Sequence, residues 1–197
     1  MRMFDGFCGR LGWAKAFLAR GWKVTAVDLI APSEIPPGVE FIQRDMLEID
    51  AAFLRQFDFA CFSSPCDGFA CFSMRMWQPN PKYPAKEIEL FNHTRAIAEQ
   101  SGIPYLMENV RGAIEFVGAP TNRTGPWCLW GNAVPLLLPR GLRKSKWFKR
   151  EGKPGNICLE ALKGKRQRKA ALASIPPELA ACVADYAESL LQRKAIA

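Results

Sequence analysis

The sequence predicts an α/β protein built around a mostly parallel, doubly wound sheet. Short apolar strand patterns alternate with helix patterns through the first hundred residues, as in sheets that carry helices on both faces. The chain has 197 residues, 49% of them hydrophobic, so it can bury a core of its own. We expect no membrane span or secretory leader, because the chain lacks a run of about 18 apolar residues and an apolar N-terminal region.

The elements follow in chain order from these patterns. Gly21 ends the first helix, and a Ser-Ile-Pro-Pro-Glu stretch starting at Ser174 is a good start for the last one. The predicted strands cover residues 1–6, 22–28, 39–43, 57–62, 103–107 and 127–130. The predicted helices cover residues 12–20, 85–101 and 177–194, with a further helix between the third and fourth strands.

The cysteines and the single histidine narrow the possible chemistry. Seven scattered cysteines, an odd number, indicate a reducing compartment, and we expect the cytoplasm. His93 is alone, which excludes most histidine-rich metal sites. Cys61, Cys66 and Cys71 are spaced by five, but no Cys-x-x-Cys pair occurs, so no metal is expected. The net charge of +8 fits a polyanionic partner.

Residues 64–67 (Ser-Pro-Cys-Asp) indicate a reactive thiol. Proline stiffens the turn ahead of Cys66, and Gly68 would let a ligand approach the backbone. This turn follows a buried strand, and Glu108 follows another short apolar strand. Since open α/β folds carry their chemistry at the carboxyl edge of the sheet, Cys66 and Glu108 are predicted to supply a nucleophile and an acid to one pocket.

A second group of residues predicts a site for an adenosine-bearing cofactor. Gly9 and Gly12 belong to a turn, starting at Phe7, that leads from the first strand into the first helix. Asp28 ends the next strand, where an acid can hold ribose hydroxyls, and Asp45 follows the third strand, within reach of an adenine amino group. The turn has only two glycines and no P-loop lysine, which favours S-adenosylmethionine over a nucleotide. Taken singly, each acid could instead be a turn or helix cap.

Together these motifs resemble those of the cytosine C5 DNA methyltransferases. Residues 5–12 resemble the family's Asp-Leu-Phe-x-Gly-x-Gly-Gly motif, with Gly6 and Leu11 as departures. Residues 64–69 resemble its Pro-Cys-Gln-Gly-Phe loop, and residues 108–110 are identical to its Glu-Asn-Val. The family's Gln-x-Arg-x-Arg strand is not clear here; residues 122–124 (Asn-Arg-Thr) are the better candidate for it, and residues 167–168 (Gln-Arg) are the weaker one. The match is good over residues 4–116 and loose over 120–132 and 165–190.

The resemblance implies a Rossmann-like, S-adenosylmethionine-dependent methyltransferase fold and a reaction on DNA. Cys66 would add to C6 of a cytosine turned out of the helix, Glu108 would hold or protonate N3, and Arg123 would contact O2. Pro65 would shape the loop beside the cofactor. Two alternatives stay open: a related enzyme that acts on RNA or uses a modified sulfonium, and a degenerate nucleic-acid-binding protein without catalysis.

The large recognition domain of the family is missing, and a short basic insert is expected in its place. We predict a catalytic core over residues 1–131, an insert over 132–165, and a C-terminal helix over 166–197 that packs back on the core. Residues 140–153 interleave basic and aromatic side chains, which suits a phosphate backbone, although a solvated loop fits as well. The predicted DNA contacts are Arg140, Arg143, Lys144, Lys146, Trp147 and Lys149.

Overall fold

The computed structural model of the chain describes residues 1–69, 84–140, 148–149, 157–158 and 175–196. The strands are β1 (Arg2–Gly6), β2 (Lys23–Asp28), β3 (Val39–Gln43), β4 (Phe59–Phe62), β5 (Tyr105–Val110), β6 (Asn122–Thr124), β7 (Trp127–Trp130), β8 (Phe148–Lys149) and β9 (Ile157–Cys158). The helices are α1 (Gly12–Leu18), α2 (Ala51–Leu54), α3 (Ala85–Ser101), α4 (Ile114–Val117) and α5 (Pro177–Ile196), with 3-10 turns at Met46–Glu48 and Arg111–Ala113.

Seven strands form one sheet in the order β3-β2-β1-β4-β5-β7-β6. The first five strands of this order pair in parallel, whereas β7 runs antiparallel between β5 and β6. The fold is therefore α/β and Rossmann-like, as predicted. It departs from the six-stranded dinucleotide-binding order 3-2-1-4-5-6 by the antiparallel strand inserted near its end. The strands β8 and β9 pair separately, in parallel.

Helices cover both faces of the sheet, and each face has its own apolar core. On one face, α1 and α5 pack around Trp13, Phe17 and Val183. On the other, α2 and α3 pack around Phe62 and Phe91. The central strand β4 is buried at all four positions, which explains its unbroken apolar sequence, since a parallel strand between two helical layers has no solvent face.

The C-terminal helix packs beside the first motif. Gly12 begins α1, and a Cβ atom at this position would lie 2.8 Å from Cβ of Ile175, so only glycine admits this approach. Farther along the helices, the Arg20 guanidinium contacts the Asp185 carboxylate at 2.6 Å. Within the described residues, every helix is too short or too polar to cross a bilayer.

One edge of the sheet ends at β6, where a short chain segment runs alongside the strand. This edge segment, residues 135–139, is fastened through its carbonyl groups. Asn122 Nδ2 donates to the carbonyl oxygens of residues 135 and 136, at 2.8 and 3.0 Å, and Thr124 Oγ1 donates to that of residue 139. Cys182 Sγ of α5 contacts the carbonyl of residue 137 at 3.4 Å. The edge segment is thus held to both β6 and α5.

Candidate active site

The turn between β1 and α1 concentrates backbone strain. Among the described residues, Phe7 (φ 56°) and Leu11 (φ 59°) are the non-glycine residues with positive φ, and Gly9 between them has φ 48°. A left-handed conformation costs a non-glycine residue about 1–2 kcal/mol. Leu11 offsets this cost by burial, since it is only 1% exposed. A turn held in this way presents a fixed backbone surface at the carboxyl edge of the sheet.

The two departures from the family motif have local structural causes. Gly6 stands where the motif of that family has leucine. A Cβ atom there would lie 2.6 Å from Cδ1 of Phe62, so the Phe62 side chain of β4 needs glycine at this position. Leu11 stands where the family has glycine. Its left-handed φ is one that glycine adopts freely, and its place in the core beside α1 explains how leucine is tolerated.

A buried acid on β1 caps the first helix from outside it. The N-cap residue Leu11 cannot accept a hydrogen bond through its side chain, and the Ala14 N–H donates instead to Asp5 Oδ2 at 3.0 Å. The second oxygen, Asp5 Oδ1, is the buried side-chain polar atom without a hydrogen-bond partner in the described chain. Burial raises the pKa of Asp5 well above its usual range, and the Asp28 charge adds to this effect.

Replacement of Asp5 by asparagine should flatten the dependence of stability on pH. Above about pH 4 the unfolded chain loses the Asp5 proton while the folded chain retains it, so Asp5 lowers wild-type stability as pH rises toward its folded pKa. Asparagine keeps an acceptor for Ala14 and does not ionise. We expect Asp5→Asn to gain stability relative to wild type as pH rises above about 4, in urea unfolding at several pH values. A constant difference across these pH values would contradict the buried titration.

The two predicted cofactor acids occupy adjacent strand ends, and both also hold backbone groups. Asp28 accepts from the Gly9 N–H at 3.0 Å through one oxygen and from the Ile30 N–H at 3.2 Å through the other. Asp45 caps the 3-10 turn after β3, accepting from the Leu47 N–H at 3.0 Å. Each carboxylate oxygen has a further lone pair, so both acids can still accept from a nucleoside.

Apolar side chains beside these acids were not singled out from the sequence. Leu29, Ile30 and Leu47 are exposed to 55%, 58% and 37%, and each lies one or two residues after Asp28 or Asp45. Solvent-facing apolar groups beside Asp28 and Asp45 suit a flat aromatic ring that carries polar groups at its edge. The signal was present in the sequence, since an apolar residue directly after a strand-ending acid has no core to face.

The loop after β4 carries the predicted nucleophile at the same edge of the sheet. Cys66 is half-buried, its carbonyl accepts from the Phe69 N–H at 3.1 Å, and Pro65 beside it is exposed. The expected ligand space at Gly68 is not there. A Cβ atom at Gly68 would lie 2.6 Å from Cβ of Pro84, and the Gly68 N–H donates to Glu87 Oε1 at 3.1 Å. Gly68 is thus required by the approach of α3.

A side chain of β5 fastens this loop. Asn109 is 1% exposed, and its Nδ2 donates to both the carbonyl oxygen and the hydroxyl of Ser64, at 3.1 and 3.0 Å. The Asn109 Oδ1 accepts from the Val110 N–H at 2.7 Å, so its amide is engaged at both ends. The strand with the Glu-Asn-Val motif is therefore bonded to the loop that carries Cys66.

Glu108 lies within β5, where a position just after a shorter strand was predicted. It is buried, at 7% exposure, and pairs with Leu129 of β7. The next pair in register joins Asn109 to Cys128, which in turn pairs with Arg123 of β6. Because paired residues share a sheet face and successive residues alternate, Arg123 lies on the face of Asn109 and Glu108 lies on the other.

The charges around Cys128 show which ionised groups gather at this end of the sheet. Burial raises the pKa of the Cys128 thiol, and the Glu108 carboxylate raises it further. The guanidinium groups of Arg123 and Arg111 oppose this shift. Arg111 was not predicted as a site residue, although it directly follows the Glu-Asn-Val motif. One buried acid and two exposed cations therefore lie within electrostatic range of the same thiol.

The predicted DNA contacts lie largely outside the described residues. The contacts outside the described residues are Arg143, Lys144, Lys146 and Trp147. Cys71, which was considered above as a metal ligand, also lies outside them. Lys149 belongs to the two-residue strand β8, and Arg140 is exposed directly after the edge segment. Within the described part of the chain, no group of three His, Cys, Asp or Glu side chains is arranged to hold a metal ion.

Comparison with known proteins does not show which family this chain belongs to. No protein-family model matches it, and no curated protein matches it. Solved structures of low similarity include the NAD-dependent NDP-hexosamine 5,6-dehydratase TunA of tunicamycin biosynthesis, with 20% identity and a TM-score of 0.38, covering 52% of this chain and 34% of TunA. A second is the 1,6-didemethyltoxoflavin-N1-methyltransferase of Burkholderia thailandensis with S-adenosylhomocysteine, with 19% identity and a TM-score of 0.34, covering 66% and 52%.

A third is the imine reductase V8 variant of Myxococcus stipitatus with NAD+, with 18% identity and a TM-score of 0.28, covering 56% of this chain and 40% of that one. The chain thus spans 34–52% of the length of these three structures. Two of the three structures carry NAD in their names and one carries S-adenosylhomocysteine. Similarities at this level carry no inference about cofactor or reaction.

Proposed function

We propose that this chain transfers a methyl group from S-adenosylmethionine to C5 of cytosine in DNA. The observation that carries the proposal is the double hydrogen bond of Asn109 to Ser64, which joins the Glu-Asn-Val strand to the Ser-Pro-Cys loop. This bond joins the loop that carries Cys66 to the strand that carries Glu108, which supports the prediction that they serve one pocket. The acids and apolar groups of the adjacent strand ends supply a nucleoside site at that edge.

The residues at the cofactor end fit S-adenosylmethionine chemically. Asp28 can accept from the ribose hydroxyls while it holds the Gly9 turn, and Asp45 can accept from the adenine amino group. Leu29 and Leu47 offer apolar contact for the adenine ring. The antiparallel β7 departs from the six-stranded dinucleotide-binding sheet, which favours a nucleoside cofactor over a dinucleotide. When bound, the cofactor supplies an electrophilic methyl group.

In the proposed reaction, the Cys66 sulfur forms a bond to C6 of the cytosine while Glu108 gives a proton to N3. This removes the charge that would otherwise develop on the ring and makes C5 nucleophilic toward the methyl group. After methylation, loss of the C5 proton to a base restores the C5–C6 double bond as the C6–S bond breaks. Cys66 leaves as thiolate, and Glu108 recovers its proton from N3.

The reacting carbon is hidden inside a duplex, so the target base must leave the stack or belong to a single strand. The net charge of +8 and the exposed cations Arg123 and Arg140 are suited to the phosphate backbone. Arg123 and Glu108 emerge on opposite faces of the sheet. We therefore assign Arg123 to the phosphate backbone, and its contact with O2 stays a prediction from the resemblance.

The test is covalent trapping with 5-fluorocytosine, whose fluorine cannot leave as the C5 proton does. We expect the protein, mixed with S-adenosylmethionine and a 5-fluorocytosine DNA duplex, to gain the mass of the methylated oligonucleotide at Cys66. A matched oligonucleotide with unmodified cytosine should leave no adduct. An adduct with RNA alone would reassign the substrate, and binding of both partners without an adduct would favour a non-catalytic protein.

A further inference from the structure

A second hydrogen bond reaches the nucleophile loop from the opposite side. Trp13 is the second residue of α1 and is 1% exposed, and its indole Nε1–H donates to Ser63 Oγ at 2.9 Å. Ser63 is half-buried, and its own N–H donates to the carbonyl of Gly6 at 3.1 Å, which extends the pairing of β4 with β1. Ser63 is thereby fixed at both its backbone and its side chain.

Consecutive serines are thus held by different parts of the fold. Trp13 holds Ser63, and Asn109 holds Ser64. Proline follows and fixes its own φ, so few rotations remain between these anchors and the Cys66 thiol. A loop fastened in this way can present its thiol in one orientation without an ordering cost during the reaction.

Trp13 is also placed to sense the cofactor turn. It directly follows Gly12, the last residue of that turn, and directly precedes Ala14, whose N–H is capped by Asp5. The indole therefore adjoins the residues of the turn that would contact the cofactor. The indole N–H is the only polar group of this side chain, and it donates to Ser63.

We propose that Trp13 is a positioning residue that couples occupancy of the cofactor turn to the orientation of the Cys66 thiol. The coupling runs from the turn through the indole N–H to Ser63 and along the loop to Cys66. It rests on the proposed function, because it takes S-adenosylmethionine or its product as the ligand of the turn. The bond to Ser63 itself stands on the geometry alone.

The experiment measures the rate at which iodoacetamide alkylates Cys66, followed by peptide mass spectrometry, with and without S-adenosylhomocysteine. In wild type we expect the ligand to slow alkylation about fivefold, because an occupied turn acts through Trp13 and Ser63 to turn the thiol toward the pocket. In Trp13→Phe and in Ser63→Ala the slowing should fall below twofold. Without ligand, each variant should alkylate about threefold faster than wild type, and the double variant no faster than either single one.

Trp22→Phe is the matched control. Trp22 lies in the same core, is 2% exposed, and donates through Nε1 to Glu188 of α5 at 3.0 Å, away from the Cys66 loop. It should keep the full fivefold slowing. Ser63→Ala removes the bond without altering the core, so it decides the matter if Trp13→Phe folds poorly.

The outcomes separate the two proposals. Additive rates in the double variant, or full slowing in Ser63→Ala, would overturn the role of Trp13. If calorimetry finds no binding of S-adenosylhomocysteine to wild type, the proposed function and the coupling fail together, while the ligand-free rates still test whether Trp13 positions the loop. If the ligand binds and Trp13→Phe leaves the slowing intact, the coupling fails and the proposed function stands.

Discussion

Replacement of Cys66 by alanine is expected to abolish methyl transfer, with a loss of roughly 10⁴-fold or more, as for other enzymes deprived of their nucleophile. Without sulfur at C6 of the base, C5 of cytosine is too weak a nucleophile to take the methyl group. Binding of S-adenosylmethionine should stay within about twofold of wild type, because the acids that would hold the nucleoside are on other strands. Radiolabelled methyl transfer and calorimetry measure the two effects.

The control for this variant is Cys182→Ser. Cys182 is also half-buried, but it lies on α5 with its Sγ against the edge segment. Its replacement should leave turnover unchanged. Substantial methylation by Cys66→Ala, or loss of methylation in a well-folded Cys182→Ser, would place the nucleophile elsewhere.

Glu108→Gln should lower kcat by roughly 10²–10⁴-fold, the range of general acid catalysis. Glutamine has nearly the shape of glutamate and can still hydrogen-bond the base, but it cannot deliver a proton to N3. The affinity for DNA should therefore change much less than kcat. Single-turnover methylation, with DNA binding measured separately, distinguishes the two effects.

Glu115→Gln is the companion variant. Glu115 is an exposed acid on α4, in the stretch that follows β5, and it should leave kcat unchanged. A Glu108→Gln enzyme with wild-type kcat would show that the carboxyl only maintains the strand. In that case, proton transfer to N3 must come from solvent or from another group.

Much of the fold could be predicted because its elements have strong local patterns. The helix Ala85–Ser101 and the strands Val39–Gln43 and Trp127–Trp130 have the predicted bounds. The strand β5 was predicted over residues 103–107 and lies at Tyr105–Val110; its end was missed because Glu108 and Asn109 interrupt the apolar run. Both are nevertheless buried in the sheet, where hydrogen bonds and neighbouring charges replace water.

The contacts that organise the candidate site could not be predicted from such patterns. Trp13 and Ser63 are 50 residues apart, and Asn109 and Ser64 are 45 apart. No local periodicity encodes which donor meets which acceptor at these separations. The cap of α1 could not be predicted either, because its acceptor Asp5 lies on β1 and not beside the helix in sequence. What the sequence did predict was that Cys66 follows a buried strand, at the carboxyl edge of the sheet.

The edge segment has a consequence for the behaviour of the protein in concentrated solution. A sheet that ends in an uncovered strand offers backbone groups to any other chain, which promotes aggregation. Here β6 is three residues long, and the segment beside it begins and ends with proline, which has no N–H to offer an added strand. Leu136 and Leu137 are each 86% exposed on that segment, and the carbonyls of residues 135, 136, 137 and 139 already accept hydrogen bonds from side chains of β6 and α5. An edge strand this short, beside a segment bounded by prolines, offers few N–H groups from which an intermolecular sheet could grow.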